Sequence, residues 1–222
     1  ILVPFIMSFD RKVSFFRMWK SMIPSAIIVG AVYIIVDIFF VKNRVWGFNP
    51  VYHSKVVILG LPLEEWLFFI VIPYASLFIH YVFVAYFPGI MISNNLVRIL
   101  SAVIIIFLLI VILFNLDKAY TFFNFSLLIL VLIWALFDKS RILNRYFLSF
   151  LIILIPFFIV NSILTGTFIE GEVVWYNNAE TLGIRLGTIP VEDVGYLFSL
   201  ILLNLLMNNW FQKKLKALGG SI

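Results

Sequence analysis

Apolar residues along this chain come in long unbroken runs, separated by short polar clusters. No alternating strand pattern with turns recurs. Runs of about 20 residues, the length that crosses a bilayer as a helix, occupy Ser21–Val41, Glu65–Phe87, Leu96–Phe114, Thr121–Phe137, Phe147–Leu164 and Val191–Phe211. Ile1–Phe9 reads as the tail of a further span whose start is truncated, since the chain opens without Met. Backbone polar groups inside hydrocarbon must be satisfied within the protein, and no ten-residue alternation of a membrane barrel is present. The expected fold is therefore all-α: a polytopic membrane helical bundle of about seven spans.

Composition sharpens that expectation. Hydrophobic residues make up 64% of the 222 positions and charged residues 12%, about half the share of a soluble domain. The net charge of +5 follows the loops. Eleven of the 16 Lys and Arg residues fall in segments 10–20, 88–98, 138–146 and 212–222, and five in the alternate segments. The positive-inside rule makes the first set cytoplasmic. The basic balance thus marks topology, and no nucleic acid is expected as partner. The first short apolar run lacks a basic leader, so no cleavable signal is expected. With no cysteine in the chain, disulfides, thiolate metal sites and cysteine nucleophiles are excluded.

Two segments stand out against this background. Leu61-Pro62-Leu63-Glu64-Glu65-Trp66 and Ile189-Pro190-Val191-Glu192-Asp193-Val194 each place a proline and two adjacent carboxylates at the mouth of an apolar run. Four of only 11 acidic residues are spent there, where ionised groups are costly and usually functional. Sliding the chain by 128 positions aligns these motifs. It also puts Phe9-Asp10-Arg11 on Phe137-Asp138-Lys139, Phe40 on Phe168, Val45 on Val173 and Asn49 on Asn177, with Trp46 and Trp175 one residue out of step. The expected organisation is a three-helix unit over residues 1–87, a linker span over 88–120 and a second three-helix unit over 121–222. The extra crossing makes the two units parallel, unlike the inverted repeats of many transporters. Both acidic pairs then lie toward the non-cytoplasmic face, where they could share one cavity.

A plain helix start explains either motif alone, because proline and acids are favoured in a first turn. Recurrence at equivalent places favours function, since Ser, Thr or a lone Asp caps a helix equally well. Adjacent helical residues point about 100° apart, so one member of each pair is expected to lead. Glu64 and Glu192, identical in both units, rank first as catalytic groups, and Glu65 and Asp193 second. Most of the 25 Phe residues fit lipid-facing and interfacial roles. Trp46, Phe48, Trp175 and Tyr176 differ in preceding the acidic motifs within polar loops, where aromatic faces suit a site that develops positive charge. Asn49, Asn177 and Asp37 complete the candidate substrate-binding set, Asp37 being equally readable as an interfacial residue. His80 has no second histidine nearby except the loop residue His53, so no metal is expected. Asn161 and Asn204 read as hydrogen-bonding groups between helices. Dinucleotide, P-loop, nucleophile-elbow and zincin motifs are missing, no lysine sits mid-span in the last helix, and Asp-rich diphosphate motifs are absent; no cofactor is expected.

The stretch Trp46-Gly47-Phe48-Asn49-Pro50 before Leu61–Phe69, with Trp175-Tyr176-Asn177-Asn178 before Ile189–Asp193, resembles the integral-membrane lycopene cyclase domain family, in its fused form with one unit per ancestral subunit. The resemblance covers essentially the whole chain. It implies a redox-neutral conversion of the open ψ-ends of lycopene into β-rings through a one-ring intermediate, without a cofactor, in carotenoid biosynthesis. Its partners would be the carotenoid substrate and membrane lipid, in a bacterial cytoplasmic membrane. A cyclase for another carotenoid or ring type stays open as an alternative. So does a carotenoid-binding or transport protein, although transporters usually break helices with Gly and Pro at the site and only Pro73 and Pro156 are expected inside these spans.

Overall fold

The computed structural model describes residues 1–218. The described residues form seven α-helices: α1 (Leu2–Met7), α2 (Trp19–Lys42), α3 (Leu63–Tyr86), α4 (Asn94–Leu113), α5 (Ala119–Phe137), α6 (Leu143–Leu164) and α7 (Val191–Ala217). Six of them, all except α1, are long and apolar enough to cross a membrane, α2 extending a 3₁₀ turn at Phe15–Met18. At 1.5 Å per residue the 20 residues of α4 span about 30 Å, the thickness of the hydrocarbon layer. Each of the six expected spans coincides with one of these helices. Pro24, already within the expected run Ser21–Val41, falls in the second turn of α2, so three of these six helices contain a proline, Pro24, Pro73 and Pro156, and not only the expected two.

Helix α7 forms the centre, packed against α2, α5 and α3. Leu200, Ile201 and Leu202 on it are completely buried, which explains why its apolar positions run round the helix rather than along one stripe. Helix α4 is the outlying span and shows lipid a continuous face that includes Ile99, Val103, Ile106 and Phe107.

The fold departs from a purely helical one at the bundle end where α2 and α6 finish. Six short strands pair there as three two-stranded ladders: β1 (Trp46–Phe48) with β4 (Val174–Tyr176), β2 (Val57–Ile58) with β3 (Leu61–Pro62), and β5 (Arg185–Leu186) with β6 (Ile189–Pro190). Hydropathy does not register them because they are two or three residues long. Their signal is local: Leu59 and Gly60 both adopt positive φ, 52° and 87°, and Gly187 opens the other hairpin at 67°, the geometry of tight two-residue turns. Each hairpin delivers its proline, Pro62 or Pro190, to the N-cap of α3 or α7 in an extended conformation. The helix then starts on the next residue, with its two acids in the first turn, where the dipole favours them.

The β1–β4 ladder runs between the two loops, setting Trp46 opposite Tyr176, Gly47 opposite Trp175 and Phe48 opposite Val174. Both acidic motifs therefore lie at the same end of the bundle. β1, β2, β3 and α3 each begin 128 positions before β4, β5, β6 and α7, so the offset seen in the motifs extends to the elements around them.

Candidate functional site

Two helix starts and two loops converge on one cavity of about 80 Å³. Glu65 from α3 and Asp193 from α7 both line it, together with Trp46, Tyr120, Tyr176 and Tyr196. Phe68, Phe157, Val174, Leu164 and Leu197 make its apolar wall, and Asn161 adds an amide.

Asp193 is 5% exposed and accepts three side-chain hydrogen bonds. Tyr120 donates its hydroxyl proton to Oδ1 at 2.7 Å, Tyr176 donates to Oδ2 at 2.9 Å, and Asn161 Nδ2 donates to the same oxygen at 2.9 Å. An ionised carboxylate only accepts, and three donors aimed at both its oxygens suit that state. Burial and the neighbouring Asp193 push the Tyr176 phenol well above its ordinary value, so this hydroxyl stays a donor. Glu65 is treated differently. Half-buried in the opposite wall, its carboxyl meets no hydrogen-bond donor among the described residues.

The other member of each pair points away from the cavity, as the 100° step between helical neighbours requires. Glu64 is exposed and closes the preceding loop, accepting from Ser54 N–H at 2.7 Å and from Ser54 Oγ at 3.1 Å. Glu192 is fully buried. Its Oε1 accepts from Thr121 Oγ1 and from Leu182 N–H, both at 2.6 Å, tying α5 and the β4–β5 loop to the start of α7. Ranking by identity at matching positions put Glu64 and Glu192 first; the cavity instead collects their neighbours Glu65 and Asp193, because identity does not encode which side of the helix faces inward.

The aromatic candidates divide as well. Trp46 and Tyr176 line the cavity. Phe48 packs edge-on against Trp46 with centroids 5.1 Å apart, and Trp175 covers Gly47 across the ladder; neither reaches the cavity. Asn49 and Asn177 staple the loops. The N–H of Asn49 donates to Val173 O at 2.8 Å, and that of Asn177 to Val45 O at 3.0 Å. Asp37 is fully buried behind the wall, and Tyr196 donates to its Oδ2 at 3.3 Å. Asp37 thus touches the cavity only through Tyr196, whose ring meets Tyr33 edge-on at 5.0 Å.

Tyr196, Phe68 and Tyr120 were not among the expected residues. Helical spacing marks the first two, since each lies one turn after an acid, Asp193 or Glu65, and i and i+3 share a face. Tyr120 opens α5 and has no motif of its own. No group of three His, Asp or Glu side chains able to hold a metal exists among the described residues. His80 instead pairs with Ser149 Oγ at 2.7 Å, deep between α3 and α6.

A protein-family model described as Lycopene cyclase matches residues 1–83 and 117–211, leaving out α4. No curated protein and no solved structure matches the chain.

Proposed function

The chain belongs to the lycopene cyclase family, and on that premise we propose that it converts the ψ-ends of lycopene into β-rings, with Glu65 as general acid and Asp193 as counter-charge and final base. The observation that carries this reading is the shared cavity: one carboxyl from each motif faces the same apolar, tyrosine-rich space. The two motifs then form one composite site, in keeping with two parallel three-helix units, 1–87 and 121–222, joined by the span within 88–120.

The steps balance without an oxidant or reductant. A proton passes from Glu65 to the terminal double bond of the ψ-end. The resulting cation is attacked by an internal double bond, closing the ring and moving the positive charge into it. Asp193 then takes a ring proton, leaving the new ring double bond. Glu65, which meets no competing donor, suits the first step; a carboxylate held by three donors suits the last. Trp46, Tyr120, Tyr176 and Tyr196 surround the developing cation with aromatic side chains, whose ring faces attract positive charge. The apolar wall keeps out water, which would otherwise capture the cation as an alcohol.

Expression in a lycopene-accumulating host tests the reading. Red cells that turn orange-yellow, with the two-ring β-product on chromatography, support it; unchanged lycopene overturns it. A product with ε-rings would keep the site and move the base.

A further inference from the structure

The far end of the bundle carries a polar pocket of its own. Helix α5 starts beside the acids' cavity, where Tyr120 lines the wall, and ends at Phe137, roughly 27 Å away at 1.5 Å per residue. There the start of α4, the end of α5 and the turn into α6 enclose about 350 Å³. Val97, Ala135 and Leu143 line this pocket and are all buried, giving it an apolar floor. Asn144 holds the walls together. Its Nδ2 donates to Ile92 O at 2.7 Å and to Asn94 Oδ1 at 2.8 Å, and its carbonyl accepts from Ile92 N–H at 2.9 Å. These bonds staple the lead-in of α4 to the first turn of α6.

Arg98, Lys139 and Arg141 line the same pocket and are exposed. Arg98 is the one ionisable side chain of α4, whose other long residues are apolar. The acid in the pocket, Asp138, is engaged elsewhere: Lys213 Nζ lies 3.5 Å from its Oδ1, and Ser140 N–H and Oγ both donate to Oδ2. That pair is the one salt bridge among the described residues, so the three cations meet no carboxylate partner there. Guanidinium and ammonium groups converging on one space suit the oxygens of a phosphate.

A soluble anion would use the cations alone. Leu136 and Phe137 also line the pocket, Phe137 being 82% exposed at the end of a span. An anion that brings its own hydrocarbon covers these side chains as well. The positive-inside rule puts this end on the cytoplasmic side, where anionic lipids attract basic segments.

We propose that this pocket binds the headgroup phosphate of an anionic phospholipid through Arg98, Lys139 and Arg141, with the acyl chains lying over Phe137, so that one lipid ties α4 to the α5–α6 turn. The site is independent of the cyclase reading and stands or falls without it.

Native mass spectrometry of the purified protein in detergent, titrated with phosphatidylglycerol or phosphatidylcholine, provides the test. Both lipids carry the phosphate, but choline cancels its charge. The parent should bind phosphatidylglycerol at least about tenfold more tightly, and this lipid should raise its melting temperature. Arg98→Gln combined with Arg141→Gly removes two of the cations. Arg141 has φ of 59°, which glycine adopts freely, so the variant keeps its backbone. A cation beside anionic lipid is worth about fivefold in affinity, so this variant should lose roughly 25-fold and its thermal response to the lipid. Lys20→Gln combined with Lys216→Gln removes the same charge outside the pocket and should bind like the parent. Equal binding of the two lipids by the parent overturns the proposal, as does a pocket variant that binds phosphatidylglycerol like the control. Inorganic phosphate that displaces the lipid at millimolar concentration overturns the lipid as occupant and makes the ligand a free anion.

Discussion

Tyr176 donates its hydroxyl proton to Asp193 Oδ2 at 2.9 Å from a strand position paired with Trp46. The ladder joining the two loops thus also orients the acid at the start of α7. Replacing Tyr176 with Phe keeps the ring and removes one of three donors. A hydrogen bond to a charged group contributes about 1.5–3 kcal/mol, so turnover should fall roughly 10- to 100-fold if Asp193 carries charge in the reaction. Pigment analysis at matched protein level checks it; parent-like turnover would mean that Asp193 does not need this donor.

The two acids of each motif should separate on mutation. Glu65→Gln and Asp193→Asn should each abolish one-ring as well as two-ring product, because both line the same cavity. Glu64→Gln should stay within about threefold of the parent, since its exposed carboxylate only closes a loop on Ser54. Two independent sites would give the opposite outcome, each cavity-lining variant leaving one-ring product.

Much of this arrangement can be read from the chain, and what escapes does so for physical reasons. Hydropathy finds the six spans because bilayer thickness fixes helix length, and the 128-residue offset finds the motifs because both begin a helix in the same way. What it does not reveal is the helical phase at Glu64 and Glu65, which is decided by packing of α3 against α2 and α6 rather than by local residue type. The loop candidates divide for a similar reason. Strand residues alternate in direction, so the ladder turns Trp46 and Tyr176 to the cavity and Gly47 and Trp175 elsewhere. Tyr120 escapes notice because it belongs to another helix, brought over Asp193 only by tertiary packing.

Thr121 should matter more for folding than its conservative chemistry suggests. Its Oγ1 donates to the buried Glu192 Oε1, while Oε2 has no partner among the described residues. Thr121→Val keeps the shape and removes the donor, which should cost about 1–3 kcal/mol and loosen the loop at Leu182. Thermal unfolding in detergent, with hydrogen exchange at the Leu182 amide, checks both. A parent-like melting temperature together with parent-like protection would show that Glu192 does not depend on this bond.

Gly47 lies directly opposite Trp175 in the β1–β4 register, with the indole packed over it. A Cβ built at Gly47 comes within 2.6 Å of Trp175 Cζ2, closer than two carbons can stay. Gly47→Ala therefore forces the indole aside or shifts the ladder, and overpacking of this kind costs about 1–3 kcal/mol. Since Trp46 and Tyr176 belong to the same ladder and line the acids' cavity, turnover should fall along with the melting temperature. Removing the obstruction should reverse both effects: Trp175→Leu in the Gly47→Ala background should regain stability and turnover, although Trp175→Leu alone costs packing. Such coupling is the signature of two residues in direct contact, whereas independent residues give additive losses. Additive losses in the double variant would place the cost of Gly47→Ala in the backbone of β1 rather than in its contact with Trp175.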